Sequence, residues 1–453
     1  MIFKRKKQQE SGVNRISPRK NKRLKIFFWT ITILIIGIVS WIGTTGIIAF
    51  QNITTKNDTD GPSFFKTGQT IDPTSLTEGG SRINTLIIGA DSAAGLTDTL
   101  QIYSIDPINN TLSIISVPRD LYVANPLGGK SKINEVYNAG KKKCQIDRNC
   151  DKDIDNGAVA LKSVLKTVLN VDVHYFAKVD FQGFKNIIDS VGGVTIYVEK
   201  ALSDPGFPCD YDPGTPCGYY QKAGTFNMNG TQALRYARCR NGNCGNDFGR
   251  AARQQQVIQA IKDKVLSLGV ITNPQKVTNI ISTLGTHFKT DMKLDEMIRI
   301  FKIIQGTDNT KTKNGILSND TDDPLRSYNN GQYILIPKAG ENDWGGVHEY
   351  VLSIMPEPYI IKEAANIAIV DASGKDLAED VKEILENVGY TVVSIEDAAK
   401  TASQTNIWQN GDKPYTFELL KKRTDGVKVT KIPSSSAIDP HIVLVIGTDY
   451  VIE

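Results

Sequence analysis

The sequence has few of the residues that build metal centres and dinucleotide sites. Its 453 residues include four histidines and six cysteines, and no two cysteines form a CxxC motif. Structural zinc sites take four cysteine or histidine ligands, usually in that close spacing, so the composition disfavours a zinc protein. The region 365–453 has a lone Gly374 in its first loop and no GxGxxG motif, which argues against a nucleotide there.

The chain also lacks a basic excess over most of its length. Its net charge is +4, but residues 1–25 contain ten Lys or Arg and one acid, Glu10, which gives that tail +9. The rest of the chain therefore sums to −5, the difference between +4 and +9. A mildly acidic body gives no reason to expect nucleic-acid binding.

Charged residues are missing altogether from residues 26–50. As a helix this stretch would be roughly 37 Å long, enough to cross a hydrocarbon core of ~30 Å. A cleaved signal peptide, which is the alternative, has a shorter apolar core and a small-residue cleavage site. We therefore expect a single-pass helix in the cell membrane, with the basic tail in the cytoplasm and the body extracytoplasmic.

The six cysteines all follow this apolar stretch and fall into three local couples. Five, seven and four residues separate the members of Cys144 and Cys150, Cys209 and Cys217, and Cys239 and Cys244. Sequence alone cannot fix the connectivity of six cysteines. An extracytoplasmic location permits disulfides, so we predict that each couple is bonded.

Composition shifts divide the rest of the chain. Residues 51–80 are rich in Asn, Thr, Asp, Gly and Ser, which predicts a flexible stalk. Residues 81–355 alternate strand and helix patterns, which indicates an α/β sandwich with a mixed central sheet. A proline-containing linker at 356–364 leads to residues 365–453, whose strand and helix patterns predict a small C-terminal α/β domain.

Charged side chains stand at the ends of the first three strand patterns of the body. They are Asp91, Asp98, Arg119 and Asp120. Sheets usually keep their binding sites at strand ends, so these four residues are candidates for one site.

An arginine-rich stretch follows at residues 235–256. It holds Arg238, Arg240, Arg250 and Arg253. With Asp247 as the N-cap of a helix, Arg250, Arg253 and Gln254 would share one face. Arginine grips phosphate through a planar fork of donors, and a helix N-terminus also favours anions. The stretch therefore indicates a pyrophosphate site, although a solvated charged face would have the same spacing.

Six motifs occur in one order along the body. They are GADS (89–92), TDTL (97–100), SVPRD (116–120), KIN (132–134), VDFQGFKNIIDSVGGV (179–194) and GTQALRYARCR with DFGRAARQQQ (230–256). In this order they resemble the LytR-CpsA-Psr family of cell-wall glycopolymer transferases. The end of the chain resembles the LytR-type C-terminal domain, through NIAIVDASGKDLAEDVKEILENVGYTVV (366–393) and VIGTDY (445–450).

The resemblance implies a fold and a reaction. The implied fold is an α/β/α sandwich with an apolar pocket for a polyprenyl tail. The implied enzyme takes a polymer, commonly teichoic acid, from a polyprenyl-pyrophosphate carrier and joins it to peptidoglycan by a phosphodiester, with Mg²⁺ as cofactor. Membrane lipid, peptidoglycan and the lipid-linked polymer are then the partners.

The resemblance also implies roles for individual residues. Arg119 and the four arginines of residues 235–256 would cradle the pyrophosphate, with Gln254 beside them. Asp91 and Asp98 match the acidic positions near Mg²⁺. Asp98 or Asp120 is the candidate base, and Asp120 could equally hold Arg119 in place. The family usually has an arginine just before the motif at 97–100, whereas this chain has none there, and Lys132 or Arg235 is the candidate substitute.

Two other functions fit the same residues. With water as the acceptor, the site would be a polyprenyl-pyrophosphate phosphatase. With no chemistry at all, the protein would bind the lipid-linked polymer at the cell envelope, and the missing arginine before Thr97 is the best argument for that interpretation.

Overall fold

A six-stranded mixed sheet forms the centre of the body. The computed structural model describes residues 54–56, 79–90, 96–147, 150–209, 214–268, 283–307, 309–329, 331–431 and 440–452, all within one unit, Phe50–Glu453. From one edge to the other its strands are β11 (Phe288–Thr290), β6 (Tyr175–Asp180), β1 (Ile83–Ala90), β2 (Thr97–Asp106), β3 (Thr111–Val117) and β12 (Lys313–Ile316). Neighbours are antiparallel at β11/β6, β1/β2 and β2/β3, and parallel at β6/β1 and β3/β12. The predicted mixed α/β fold is therefore confirmed.

The described part of the chain has nineteen strands in all. In chain order they are β1 Ile83–Ala90, β2 Thr97–Asp106, β3 Thr111–Val117, β4 Tyr122–Ala124, β5 Lys130–Lys132, β6 Tyr175–Asp180, β7 Val194–Val198, β8 Leu202–Asp204, β9 Tyr219–Gln221, β10 Gly224–Met228, β11 Phe288–Thr290, β12 Lys313–Ile316, β13 Leu325–Asn329, β14 Tyr333–Pro337, β15 Asn366–Asp371, β16 Thr391–Asp397, β17 Asn406–Gln409, β18 Val427–Lys428 and β19 Ile442–Ile446.

Ten α-helices accompany these strands in the described part of the chain. They are α1 Ile133–Ile146, α2 Asn156–Leu169, α3 Phe181–Ser190, α4 Gly230–Arg238, α5 Asn246–Ser267, α6 Leu294–Gln305, α7 Gly345–Ile354, α8 Pro358–Glu363, α9 Ala378–Asn387 and α10 Pro414–Thr424. Two 3-10 turns lie at Gly285–His287 and Asn309–Lys311.

Both faces of the central sheet are buried, which explains why its strands are apolar on both sides. Helices α1, α2 and α7 cover one face, where Leu86, Ile102 and Phe176 lie in the largest core cluster. Helix α6 covers the other face, where Ile300 packs with Tyr175. A hairpin joins β2 to β3, and the Asp106 carboxylate closes its turn by accepting bonds from the next backbone amides.

The C-terminal region has its own five-stranded sheet, with the order β16-β15-β19-β17-β18. Its main core packs α8, α9 and α10 against one face. The sequence pattern of residues 366–371 correctly predicts strand β15, but the amphipathic pattern of residues 374–387 predicts a helix that starts too early, at Gly374. The structure begins this helix at Ala378, because the Asp371 carboxylate accepts bonds from the Leu377 and Ala378 amides.

Several predictions lie wholly or partly outside the described residues. The basic tail and the apolar stretch 26–50 are among them, as is Asp91. Within the described ranges, no helix has both the length and the apolar character needed to cross a membrane. Of the predicted stalk, Thr54 pairs with Thr290, and the Thr55 amide donates to the Thr290 carbonyl at 2.8 Å.

A buried charge network lies where β1 meets the linker 356–364. Arg82 is 2% exposed and donates to the Pro356 carbonyl at 2.9 Å and to the Ser104 hydroxyl at 2.7 Å. Glu357 is 1% exposed, and the Ser81 amide donates to it at 3.4 Å. Burial raises the pKa of Glu357 to about 7, although hydrogen bonds and the Arg82 charge act in the opposite direction.

We predict that Glu357→Gln removes part of the pH dependence of stability. The unfolded chain loses this proton near pH 4.5 and the folded chain near pH 7, so raising the pH through this window favours unfolding. The variant should therefore be more stable than wild type by about 2–3 kcal/mol at pH 8 and equal to it at pH 4. Urea unfolding at both pH values measures the difference. A pH-independent difference, or one matching the exposed control Glu379→Gln, would contradict the prediction.

Candidate active site

Arg119 is the centre of a charged cluster at the end of β3. Its Nη1 lies 3.2 Å from the Asp98 carboxylate at the start of β2. Its Nε lies 3.6 Å from Asp120 and 3.4 Å from Asp247. Because β2 and β3 are antiparallel neighbours, the start of one and the end of the other meet at the same edge of the sheet. The structure thus brings together Asp98, Arg119 and Asp120.

Lys132 closes the cluster from the adjoining β4–β5 hairpin. Its Nζ lies 2.6 Å from the Asp120 carboxylate, which is largely buried. Helix α1 begins at the next residue, Ile133. Asp120 therefore bridges Lys132 and Arg119. This arrangement suits the predicted alternative role, in which Asp120 holds Arg119 in place.

Helix α5 supplies the opposite wall. Asp247 lies in its first turn and contacts Arg250 Nη1 at 3.1 Å as well as Arg119. Arg250 also donates to the Asp98 carbonyl at 3.3 Å. The sequence interpretation of Asp247 as the N-cap is wrong, since Gly245 holds that position with a left-handed backbone. Asp247 instead bridges two arginines.

The two arginines have opposite pKa shifts. Burial lowers the pKa of Arg119, but the charges of Asp247, Asp120 and Asp98 more than offset it, so the net pKa is raised. Burial also lowers the pKa of Arg250, and Arg119 and Arg240 add to that effect against Asp247 and Asp98. Both guanidinium groups stay charged at any biological pH. A second anion beside Arg250 would thus relieve repulsion between cations.

A cleft opens between these residues and holds about 330 Å³ of empty space, including solvent. Its lining includes Asp98, Arg119, Arg250 and Gln254. Ser116, which also lines the cleft, accepts a hydrogen bond from the buried Gln255 amide at 2.9 Å. The same amide donates to the Gly315 carbonyl at 3.1 Å. The predicted neighbours Arg250 and Gln254 thus do face one cleft.

Arg253 has a different environment. It is 8% exposed, and its guanidinium donates to three backbone carbonyls: Tyr236 at 3.1 Å, Cys244 at 2.7 Å, and Cys239. Two of these carbonyls belong to the loop that the Cys239–Cys244 disulfide closes. Arg253 therefore links α5 to this loop, whereas its predicted contact with pyrophosphate stays a prediction.

The remaining two arginines lie around the same loop. Arg238 stacks on Phe181, with its guanidinium 4.6 Å from the ring centroid, and lies 5.6 Å from the Phe207 ring. Arg240 has an exposed side chain, while its backbone amide donates to Asp204 at 3.1 Å. Exposed Arg240 is the more available of the two for a ligand, since the contacts above leave its guanidinium in solvent.

All three predicted disulfides are present, and each is local. Cys144 bonds Cys150, Cys209 bonds Cys217, and Cys239 bonds Cys244. Zinc is therefore disfavoured at these thiols.

One carboxylate at the cleft is of the kind that a magnesium ion binds. Mg²⁺ takes carboxylate oxygens and keeps several waters, so one or two aspartates plus a phosphate suffice. Asp98 offers a carboxylate that is 30% exposed at the mouth of the cleft. Among the described residues, two groups of three side chains lie close enough together to share a metal ion. Neither group includes Asp98. The predicted second ligand, Asp91, follows β1 outside those residues.

Sequence reasoning missed Tyr333 at the start of β14. Strand β14 docks beside the cluster, because the Leu335 amide donates to the Asp120 carbonyl at 3.0 Å. Burial raises the pKa of Tyr333, and the charges of Asp120 and Asp247 add to the shift. No motif precedes this tyrosine, and the pairing that brings it here is long-range.

The fold and the cluster define a class of protein, an α/β protein with an arginine-centred, acid-flanked cleft at a sheet edge. The chain belongs to the LytR_cpsA_psr family, which matches residues 47–343. Residues 364–450 match the family described as LytR cell envelope-related transcriptional attenuator.

Individual relatives are moderately similar. The polyisoprenyl-teichoic acid–peptidoglycan teichoic acid transferase TagU of Oceanobacillus iheyensis is 31% identical over 233 residues, which is 51% of this chain and 65% of that protein. The regulatory protein MsrR of Staphylococcus aureus is 34% identical over 205 residues, 44% of this chain and 54% of that protein. The chain thus spans less than two thirds of each of these relatives.

Solved structures give a looser likeness. The crystal structure of B. subtilis TagV is 25% identical with a TM-score of 0.46, and the match covers 61% of this chain and 97% of that one. TagT bound to LI-WTA is 21% identical with a TM-score of 0.47, covering 66% and 98%.

We predict that Arg253→Met destabilises the protein without changing the charged cluster. Three buried carbonyls would lose a charged donor, which should cost about 2–4 kcal/mol. Arg240→Met removes the same charge from an exposed position and is the matched control, expected to change stability little. Chemical denaturation of both variants tests this. Equal stability of the two variants would show that the Arg253 contacts contribute nothing.

Proposed function

We propose that this protein is a phosphotransferase that moves a glycopolymer from a polyprenyl-pyrophosphate carrier to peptidoglycan, forming a phosphodiester at a muramic acid hydroxyl. The observation that carries the proposal is the Arg119 cluster, which places the half-buried Arg119, the buried Arg250 and several carboxylates around one cleft. Family membership and the printed activity of the TagU relative support the same reaction.

Arginines bind the pyrophosphate in this scheme. Phosphoryl transfer is catalysed mainly by positioning and by neutralising charge on the phosphoryl oxygens. Arg119 and Arg250 face the cleft, and each is already held by Asp247, so little order has to be gained when the substrate binds. Lys132, Arg238, Arg240, Arg253 and Gln254 complete the proposed pyrophosphate set, with the loop contacts of Arg253 giving it a supporting part.

Asp98 is the base we favour for the acceptor hydroxyl. It is 30% exposed at the cleft, whereas Asp120 is buried and bridges Lys132 and Arg119. The hydroxyl oxygen forms a bond to the phosphorus that carries the polymer, and its proton passes to Asp98. The bond from that phosphorus to the bridging oxygen breaks, and polyprenyl phosphate leaves. When bound, Mg²⁺ would supply further neutralisation of the phosphoryl oxygens, held by Asp98 and Asp91.

The substrate also argues for a membrane anchor. A polyprenyl carrier stays in the bilayer, so the enzyme must work at its surface. The uncharged stretch 26–50 after a basic tail supplies such an anchor, with the body outside the cytoplasm.

We expect Arg119→Ala to lower polymer attachment by about a hundredfold or more, because it removes a donor aimed at developing charge. The assay is polymer-linked muropeptide formed from a lipid-linked polymer and peptidoglycan. Arg423→Ala, which breaks a surface pair with Glu349, is the matched control and should keep activity. Unchanged attachment in a folded Arg119→Ala protein would overturn the site assignment. Free phosphate without linkage would instead identify a phosphatase, and the absence of both products a binding protein.

The metal role has a separate test. Chelation should abolish attachment and added Mg²⁺ should restore it. Asp98→Asn should lower the maximal rate, because it removes the proposed base. It should also raise the Mg²⁺ concentration for half-maximal residual activity by about tenfold or more, since it removes a carboxylate ligand. Asp180→Asn changes an aspartate that caps α3 and should leave the Mg²⁺ requirement as it is. Full activity in the chelator would rule out the metal.

A further inference from the structure

Three lysines gather on the same face of the central sheet that α1 covers. Lys178 on β6 lies directly opposite Lys289 on β11. The Lys178 ammonium lies 5.3 Å from the centroid of the Tyr137 ring, and the Lys141 ammonium lies 4.8 Å from the same centroid. We call these three residues the lysine cluster.

The cluster is electrostatically unfavourable in the protein alone. Like charges directly opposite on neighbouring strands destabilise a sheet. Lys178 is half-buried, and its pKa is lowered by burial, by Lys141 and by Lys289, against weaker support from Asp155 and Asp180. In the described ranges, none of the three lysines has an ion pair within 4.0 Å.

Nearby carboxylates already have other partners. Asp155 caps α2 through the Gly157 and Ala158 amides, and it accepts the Tyr137 hydroxyl at 2.7 Å. Asp180 caps α3 and lies 2.8 Å from His287. The Asp151 side chain, on the neighbouring loop, pairs with Lys56 at 3.0 Å. An external anion is thus the partner that would relieve the repulsion.

The cluster lies in register with the candidate active site. Lys178 pairs with Ile88, Ile88 with Leu100, and Leu100 with Val117, two residues before Arg119. Three strand spacings separate Lys178 from Val117, or about 14 Å. Lys141 lies nine residues after Lys132 along α1, roughly 13 Å along the axis. The first path crosses the buried side chains of Ile88, Leu100 and Val117, so it gives only a separation, whereas the second follows the exposed side of α1. Along α1 a polymer would reach the cluster a few units beyond the pyrophosphate.

We propose that the lysine cluster is a subsite for a phosphodiester group of the polymer, so that the preferred substrate is a polymer with anionic phosphate repeats. This inference rests on the proposed function and specifies its substrate class. Lys178 and Lys289 are half-buried, and Lys178 lies beside the Tyr137 ring, which suits a single phosphate group of a chain. A bilayer surface would instead be met by fully exposed lysines.

The test measures binding of a synthetic glycerol-phosphate oligomer that lacks both lipid and pyrophosphate, using the full chain in detergent. Replacing all three lysines by Gln should weaken binding by roughly tenfold or more and reduce its salt dependence. Lys178→Arg with Lys289→Arg should retain binding, because the charges remain. The matched control is the triple variant Lys375→Gln, Lys382→Gln and Lys421→Gln in the C-terminal region, which should bind like wild type.

Three results would overturn the inference. They are unchanged oligomer binding in the lysine-to-Gln variant, an equal loss in the matched control, and a loss of binding to phosphatidylglycerol vesicles with oligomer binding intact. The last result would identify a membrane contact. Failure of the proposed function is separate: lysine-dependent oligomer binding with no polymer attachment by wild type would leave the subsite standing and remove the transferase. Thermal unfolding of the Gln variant checks its fold, and relief of repulsion should keep it at least as stable as wild type.

Discussion

The site depends on one constraint: several cations must be held close together while their guanidinium groups stay open to a ligand. Arg119 meets it by contacting Asp98, Asp120 and Asp247 at once. Asp247 then extends the network to Arg250. Because the Asp120 and Asp247 carboxylates each contact two cations, the cluster is compact while the guanidinium groups still face a cleft. Such preorganisation is what a phosphate-binding site needs, since the donors are in place before the charge arrives.

Elsewhere the protein treats buried charge in a different way. Lys162 and Asp291 form a buried ion pair at 2.7 Å, and Arg82 donates hydrogen bonds to Ser104, Ser113 and Pro356. Charges of this kind hold elements together and have no capacity left for a ligand. The lysine cluster has the opposite character, because its neighbouring carboxylates are engaged in helix caps. Outside the Arg119 cluster, charged side chains with protein partners are structural, and those without such partners are candidates for binding. This difference is more informative than residue type.

Much of the architecture could be predicted from local pattern. Apolar runs at residues 84–91, 98–106, 111–117 and 366–371 predict β1, β2, β3 and β15 to within a residue or two, because these strands are buried and short-range turn chemistry ends them. The strands β7 to β10 lie outside the central sheet, and β14 docks beside Asp120. Neither arrangement can be predicted from the local sequence pattern. The position of Tyr333 has no local signal either, since Asp120 precedes it by 213 residues and Asp247 by 86.

Sequence by itself determined which side chains were available: arginines that cannot lose their charge, aspartates at strand ends, and cysteines spaced for local disulfides. Tertiary structure alone decided how those arginines differ. Arg250 and Arg253 are three residues apart on one helix, yet Arg250 reaches the cleft while Arg253 donates to the Tyr236, Cys239 and Cys244 carbonyls. A guanidinium binds whichever acceptors lie about 3 Å away. Which acceptors those are depends on where the folded loop runs, and spacing along the helix cannot specify it.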